Sequence, residues 1–204
     1  MAGTPNHWDN IYRTRAVDQV SWFQTEARKS LDLLNSVSPQ RDAPIIDVGG
    51  GASVLADNLL DAGYTDLTVL DLSPAALAVS QNRLGDRAVK VRWVVADVLR
   101  TVFERTYTVW HDRAVFHFLT DASDRAAYVD QVRSAVKPGG YVLVATFAED
   151  GPERCSGLTV VRYSAAELHS QFGDDFRLLR SEHEDHRTPR GAEQSFIYCL
   201  CRRK

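Results

Sequence analysis

The chain has 204 residues, 44% of them hydrophobic, with 24 lysines and arginines against 27 aspartates and glutamates and a formal net charge of −3. Such a chain buries a sizeable core in one domain, and its slight negative charge, with no block of about five like charges, offers no basic field for nucleic-acid phosphates. No apolar run approaches the roughly eighteen residues of a membrane helix, and Met1-Ala2-Gly3-Thr4-Pro5-Asn6-His7 lacks the basic and apolar segments of a signal peptide, so a soluble, cytoplasmic protein without nucleic-acid or membrane partners is expected.

In chain order, residues 1–43 read as an N-terminal helical cap, and 44–48 as the first strand, followed by a glycine-rich turn and a helix at 53–62. A strand at 67–71 leads to Ser73 and Pro74, a good N-cap followed by a proline at the first helical position, and to a helix at 74–84. Strands at 90–96 and 107–111 flank an unsettled segment at 99–105. A helix at 123–136 is stopped by Lys137-Pro138-Gly139-Gly140, and a strand follows at 140–147. Strands at 176–184 and 194–202, joined only by His186-Arg187-Thr188-Pro189-Arg190-Gly191, are expected to pair as an antiparallel hairpin. This alternation predicts an α/β fold: a three-layer, doubly wound, mostly parallel seven-strand sheet ending in a C-terminal antiparallel hairpin. Residues 44–147 are expected to form the ligand-binding core and 148–204 a long loop and hairpin of one domain, 1–204. Cys199 and Cys201 point to the same strand face and are poorly placed to bond each other, so reduced thiols are expected.

Ligands of such sheets bind at the carboxyl ends of the strands. There the chain places Asp47-Val48-Gly49-Gly50-Gly51-Ala52-Ser53, a turn that lets a ligand approach the backbone closely. A dinucleotide reader requires a third glycine where this chain has Val54, and Asp47 is an awkward neighbour for a pyrophosphate but suits an ammonium group. Asp71 ends the second strand, where a carboxylate accepts both hydroxyls of a ribose. Asp97 followed by Val98 ends the third, suited to an exocyclic adenine amine and its ring. Three acids at successive strand ends fit a nucleoside with a positive tail, such as S-adenosylmethionine.

The ordered segments Asp47-Val48-Gly49-Gly50-Gly51-Ala52-Ser53, Val69-Leu70-Asp71-Leu72-Ser73, Ala96-Asp97-Val98 and Val136-Lys137-Pro138-Gly139-Gly140 resemble the motifs of class I S-adenosylmethionine-dependent methyltransferases. The resemblance implies that Gly49, Gly50 and Gly51 admit the methionine part of the cofactor, Asp47 faces its amino group, and Asp71 holds the ribose. It further implies that Leu72 packs on the adenine and that Asp97 with Val98 recognises its amine edge. S-adenosylhomocysteine would be the product.

The fourth strand ends in Val109-Trp110-His111-Asp112-Arg113, and its carboxyl end is expected to face the sulfonium methyl. His111, Asp112 and His117 are therefore the catalytic candidates, with Asp112 or His117 able to take a proton from an amine acceptor. A satisfied histidine in an aromatic core segment is an equal reading of Phe116-His117-Phe118. Trp8, Tyr12 and Trp22 of the N-terminal stretch are candidates for closing over the cofactor or shaping the acceptor pocket. That stretch is similar to the start of seven-strand lysine methyltransferases acting on translation elongation factors and citrate synthase, which implies a protein-lysine acceptor. The family's stretch after strand four differs from Asp112-Arg113-Ala114-Val115 here, and a small-molecule acceptor is equally compatible with the composition. Cys155 reads as a packed thiol in a polar loop, and His183, Asp185 and His186 do not converge on one face, so no metal is expected. The competing functional classes are a non-catalytic S-adenosylmethionine-binding regulatory module and, further off, a nicotinamide-dependent oxidoreductase.

Overall fold

In the computed structural model, which describes residues 3–37 and 39–204, the strands in chain order are β1 (Ile45–Val48), β2 (Leu67–Asp71), β3 (Val91–Val95), β4 (Tyr107–Arg113), β5 (Val136–Phe147), β6 (Arg154–Cys155), β7 (Leu158–Thr159), β8 (Phe176–Arg187) and β9 (Glu193–Arg203). The helices are α1 (Pro5–Thr14), α2 (Arg28–Ser36), α3 (Leu55–Asp61), α4 (Pro74–Leu84), α5 (Ala122–Ala135) and α6 (Ala165–Phe172). Seven strands form one sheet in the order β3-β2-β1-β4-β5-β9-β8, and β6 with β7 makes a separate small hairpin. Pairing is parallel from β3 to β5 and antiparallel where β9 meets β5 and β8. The mostly parallel sheet with a terminal antiparallel hairpin is thus the architecture that the alternating periods predict.

Local chemistry sets the helix starts. Thr4 and Ser73 cap α1 and α4 through their side chains, each ahead of a proline. Ser164 and Glu167 form a reciprocal capping box on α6, a signal present in the sequence but absent from the elements read there.

Strand bounds differ from expectation by more than one residue in three places. β5 begins at Val136, because Gly139, at φ 76°, absorbs a register shift between Tyr107 and Val109 on β4. A Cβ on Gly140 would lie 2.9 Å from the Thr108 carbonyl oxygen, so the strand passes there only as glycine. β4 continues to Arg113, and His186 and Arg187 belong to β8 rather than to the hairpin turn, which closes through the Thr188 amide and Ala192 carbonyl at 2.8 Å.

The period of two divides the core. Ile45, Val109, Leu143 and Ala145 pack with Leu33, Leu55 and Leu77 of α2, α3 and α4. Ile46, Trp110, Val142 and Val144 pack with Tyr128, Val132 and Phe172 of α5 and α6. β1 lies between β2 and β4, so the chain order reverses there and opens a crevice at the carboxyl ends of the parallel strands. Among the described residues no helix is long and apolar enough to cross a membrane.

Candidate active site

The turn after β1 forms the floor of that crevice. Gly49 and Gly51 have φ of 68° and 27°, a region costly for other residues. A Cβ on Gly49 would lie 2.0 Å from a Val115 methyl, on Gly50 2.3 Å from Asp47 Oδ2, and on Gly51 2.5 Å from Asp71 Oδ2. The glycines therefore make room for two carboxylates and for the turn after β4.

Asp47 is only 4% exposed. Its Oδ1 accepts a hydrogen bond from His111 Nδ1 at 2.7 Å, whereas the buried Oδ2 has no partner. An unpaired buried carboxylate oxygen is costly, and an ammonium group fits it. Asp71 Oδ1 accepts from the Ser73 amide at 2.8 Å. Burial pushes the Asp71 carboxyl up to about 7, opposed by the backbone amides of Ser73, Leu72 and Gly51 and reinforced by the charge of Asp47. Asp97 is more open, with Oδ1 accepting from the Leu99 amide at 2.9 Å and Arg100 3.6 Å from Oδ2.

These groups meet in one groove. A cleft of about 820 Å³ runs past Asp71, Leu72, Asp97 and Val98 to Trp8, Tyr12, Trp22 and Phe118. A recess of about 570 Å³, lined by Ser30, Asp47, Gly50 and His111, shares Tyr12, Trp22, Gly49 and Arg113 with it. Eight of the nine residues read as cofactor-binding line this groove, and the ninth, Gly51, lies behind it and leaves space for Asp71.

The N-terminal segment roofs the groove. Trp8 and Tyr12 are four residues apart and share one face of α1. Trp8 makes edge contacts with Trp22 and Phe118 at centroid distances of 6.0 and 5.0 Å, and the Trp22 indole donates to the Tyr12 hydroxyl at 3.1 Å. At the far wall, Arg113 donates to the Tyr198 hydroxyl at 2.8 Å and to Glu184 at 3.2 Å, and its guanidinium lies 4.1 Å over Phe196. His186 donates from Nε2 to the Ser21 carbonyl at 2.7 Å, pinning the hairpin to the same segment.

Two catalytic expectations are corrected. Asp112 follows His111 in a strand and therefore points to the opposite face. It is fully buried, taking the Tyr128 hydroxyl and the amides of Val115 and Phe116, the latter two at 2.8 and 3.1 Å. Asp112 thereby fixes the turn in which Ala114 adopts a φ of 74° and Val115 meets Gly49. His117 is likewise fully buried; its Nδ1 accepts from the Phe147 amide at 3.3 Å, and burial pushes the imidazole down to about 3. Neither residue lines the groove. His111 does, but on the Asp47 side, with both ring nitrogens engaged. Ser30 and Asp9 were missing from the sequence reading, because no local pattern marks a helix residue whose partner lies 81 or 64 positions away. Among the described residues, no group of three or more His, Cys, Asp or Glu side chains is arranged to hold a metal.

Comparison with known proteins agrees with this fold. A family model described as a methyltransferase domain matches residues 45–140. EEF1A lysine methyltransferase 2 of Danio rerio is 25% identical over 159 residues, 71% of this chain and 68% of its own length. The eEF1A lysine and N-terminal methyltransferase of the same organism matches 71% of this chain at 24% identity, but only 21% of that relative is spanned. A protein solved in work on the conversion of a disulfide bond into a thioacetal group during echinomycin biosynthesis superposes with a TM-score of 0.81 at 19% identity, over 98% of this chain and 93% of its own. The Burkholderia thailandensis 1,6-didemethyltoxoflavin-N1-methyltransferase, solved with 1,6-didemethyltoxoflavin and S-adenosylhomocysteine, does so at 0.72 and 19%, over 98% and 87%. With motif order, sheet topology and these matches in agreement, residues 45–140 are a methyltransferase domain, and the chain has the seven-strand, class I fold of S-adenosylmethionine-dependent methyltransferases.

Proposed function

We propose that this enzyme methylates a flat, apolar small molecule held against Trp8, Trp22 and Phe118. The observation that carries this reading is the aromatic chamber continuous with the groove of Asp71 and Asp97 and covered by the chain's own N-terminal segment. In the cofactor half, Asp47 takes the ammonium, Gly49, Gly50 and Gly51 admit the amino-acid portion, and Asp71 accepts the ribose hydroxyls. Leu72 and Val98 pack on the adenine, Asp97 takes its amine, and Trp22 covers the groove. The bound cofactor supplies a methyl group on a positively charged sulfur, with a thioether as leaving group. The protein's task is to align the acceptor and exclude water.

Burial raises the Tyr12 phenol and pushes the Cys155 thiol up to about 11, so both chamber groups stay neutral at physiological pH. This supports an acceptor whose attacking atom needs no proton removed inside the chamber. A second reading, a protein lysine acceptor, is favoured by the EEF1A lysine methyltransferase relatives. Three free, buried cysteines fit a reducing, cytoplasmic compartment, and the net charge of −3 fits a chain without a nucleic-acid partner.

The test is calorimetry with S-adenosylmethionine, S-adenosylhomocysteine and NAD, followed by labelled-methyl transfer to separated small-molecule and protein fractions of a lysate. Binding of the first two ligands and label in the small-molecule fraction are expected. Label in protein alone would establish the lysine reading, and binding of NAD alone would overturn both.

A further inference from the structure

Asp47 and His111 are direct partners in the parallel register of β1 and β4, so their side chains emerge side by side on the face covered by α2. His111 is 3% exposed and Ser30, on α2, 1%. His111 Nδ1 lies 2.7 Å from Asp47 Oδ1, and its Nε2 lies 2.9 Å from Ser30 Oγ. An ionised carboxylate only accepts, so Nδ1 donates to Asp47, while Nε2 is paired with the Ser30 hydroxyl. The two contacts hold the imidazole in one orientation.

A relay that served folding alone would satisfy the whole carboxylate, since a buried unpaired oxygen costs stability. Here Oδ1 is held and Oδ2 is left bare. Oδ2 lies over Gly50, where even a methyl group would come within 2.3 Å, and the recess that Asp47 and Gly50 line opens beside it. The arrangement fits a carboxylate kept waiting for a donor from outside the chain.

We infer that His111 and Ser30 are positioning residues that aim Asp47 Oδ2 at the ammonium of the cofactor's amino-acid portion, so that the enzyme selects ligands carrying that ammonium. The inference rests on the cofactor reading above. His111 acts through Asp47 and handles no proton of the acceptor.

The experiment compares two ligands that share the nucleoside and thioether: S-adenosylhomocysteine, which carries the ammonium, and 5′-methylthioadenosine, which does not. Affinities are measured by calorimetry for the wild type, Asp47→Asn, His111→Phe, His111→Asn, Ser30→Ala and Asp47→Asn/His111→Phe. His111→Phe is expected to weaken S-adenosylhomocysteine roughly ten- to a hundredfold, the range for losing a hydrogen bond to a charged group, and to leave 5′-methylthioadenosine within about twofold. His111→Asn, whose amide can donate to Oδ1, restores most of the loss, and the double variant binds no more weakly than Asp47→Asn. Should His111→Phe fail to fold, Ser30→Ala carries the test, with a smaller loss confined to the same ligand. Equal losses for both ligands, or no loss in a folded Ser30→Ala or His111→Phe protein, overturn the inference while leaving the cofactor reading intact. A wild type that binds neither ligand overturns the cofactor reading, and the inference with it.

Discussion

Asp9 on α1 and Ser73 at the cap of α4 meet at 3.1 Å, the hydroxyl donating to Asp9 Oδ1, which also accepts the Ala75 amide at 3.1 Å. A carboxylate from one helix thus serves the positive end of another, and the Ala75 amide is the main group holding the Asp9 carboxyl below its ordinary value. The latch lies two residues beyond Asp71. The helix that carries Trp8 and Tyr12 over the groove is therefore fastened beside the proposed ribose site.

Asp9→Ala should loosen this roof without disturbing the sheet. Dissociation of S-adenosylhomocysteine should quicken and its affinity fall several-fold, with Trp8 and Trp22 fluorescence as reporter in stopped-flow mixing. Unchanged dissociation would mean that α1 does not control entry.

Asp71→Asn should act in opposite directions on stability and binding. The folded carboxyl keeps its proton up to about pH 7, well above its ordinary value of 3.8. The folded state therefore binds more protons than the unfolded chain through that window, and the ligand-free protein loses stability as pH rises through 7. The asparagine variant should lose this slope and be more stable than the wild type at pH 8, by on the order of a few kcal/mol. Its affinity for S-adenosylhomocysteine should fall by roughly 1–3 kcal/mol. Thermal melts across pH with parallel calorimetry read both signs, and a variant that binds normally removes Asp71 from the site.

Gly51→Ala and Gly49→Ala should each damage the floor of the groove. The new methyl would meet Asp71 Oδ2 at 2.5 Å in the first and Val115 at 2.0 Å in the second, on backbones with positive φ. A stability loss of about 1–3 kcal/mol is expected for each, together with weaker cofactor binding. Chemical denaturation with a binding titration decides it.

Asp112→Ala should behave as a folding variant. It strips the Tyr128 hydroxyl and two amides of their acceptor in a fully buried place, a loss of roughly 2–4 kcal/mol. Turnover per folded molecule should fall with cofactor affinity, because the turn that presses Val115 against Gly49 relaxes. A fall in turnover with intact stability and affinity would return Asp112 to the chemistry.

His117→Asn should change acid sensitivity. Burial holds the folded imidazole at about 3, against an ordinary 6.5, with the charge of Arg113 adding to the effect. Between these values the unfolded chain binds more protons, so this contribution to stability is present above 6.5 and is lost as pH falls toward 3. The variant's stability should be flatter across that window, read from denaturant midpoints at successive pH values. An unchanged acid slope would show that His117 is not buried as a neutral ring.

By itself the sequence determined the order of the seven sheet strands and of the helices between the first five of them, the terminal hairpin, and a glycine turn followed by acids at three strand ends. Those features are local: a hydrophobic period, a proline after a serine cap, and a backbone that tolerates no side chain are written in neighbouring residues. Tertiary structure alone decided how the neighbours His111 and Asp112 divide their work, since the sheet sends one toward Asp47 and Ser30 and the other toward Tyr128. It also decided the Asp9 latch on Ser73 and the raised proton affinity of Asp71. Each depends on which distant elements the fold packs together and on the water excluded between them, and neither quantity is carried by the spacing of residues along the chain.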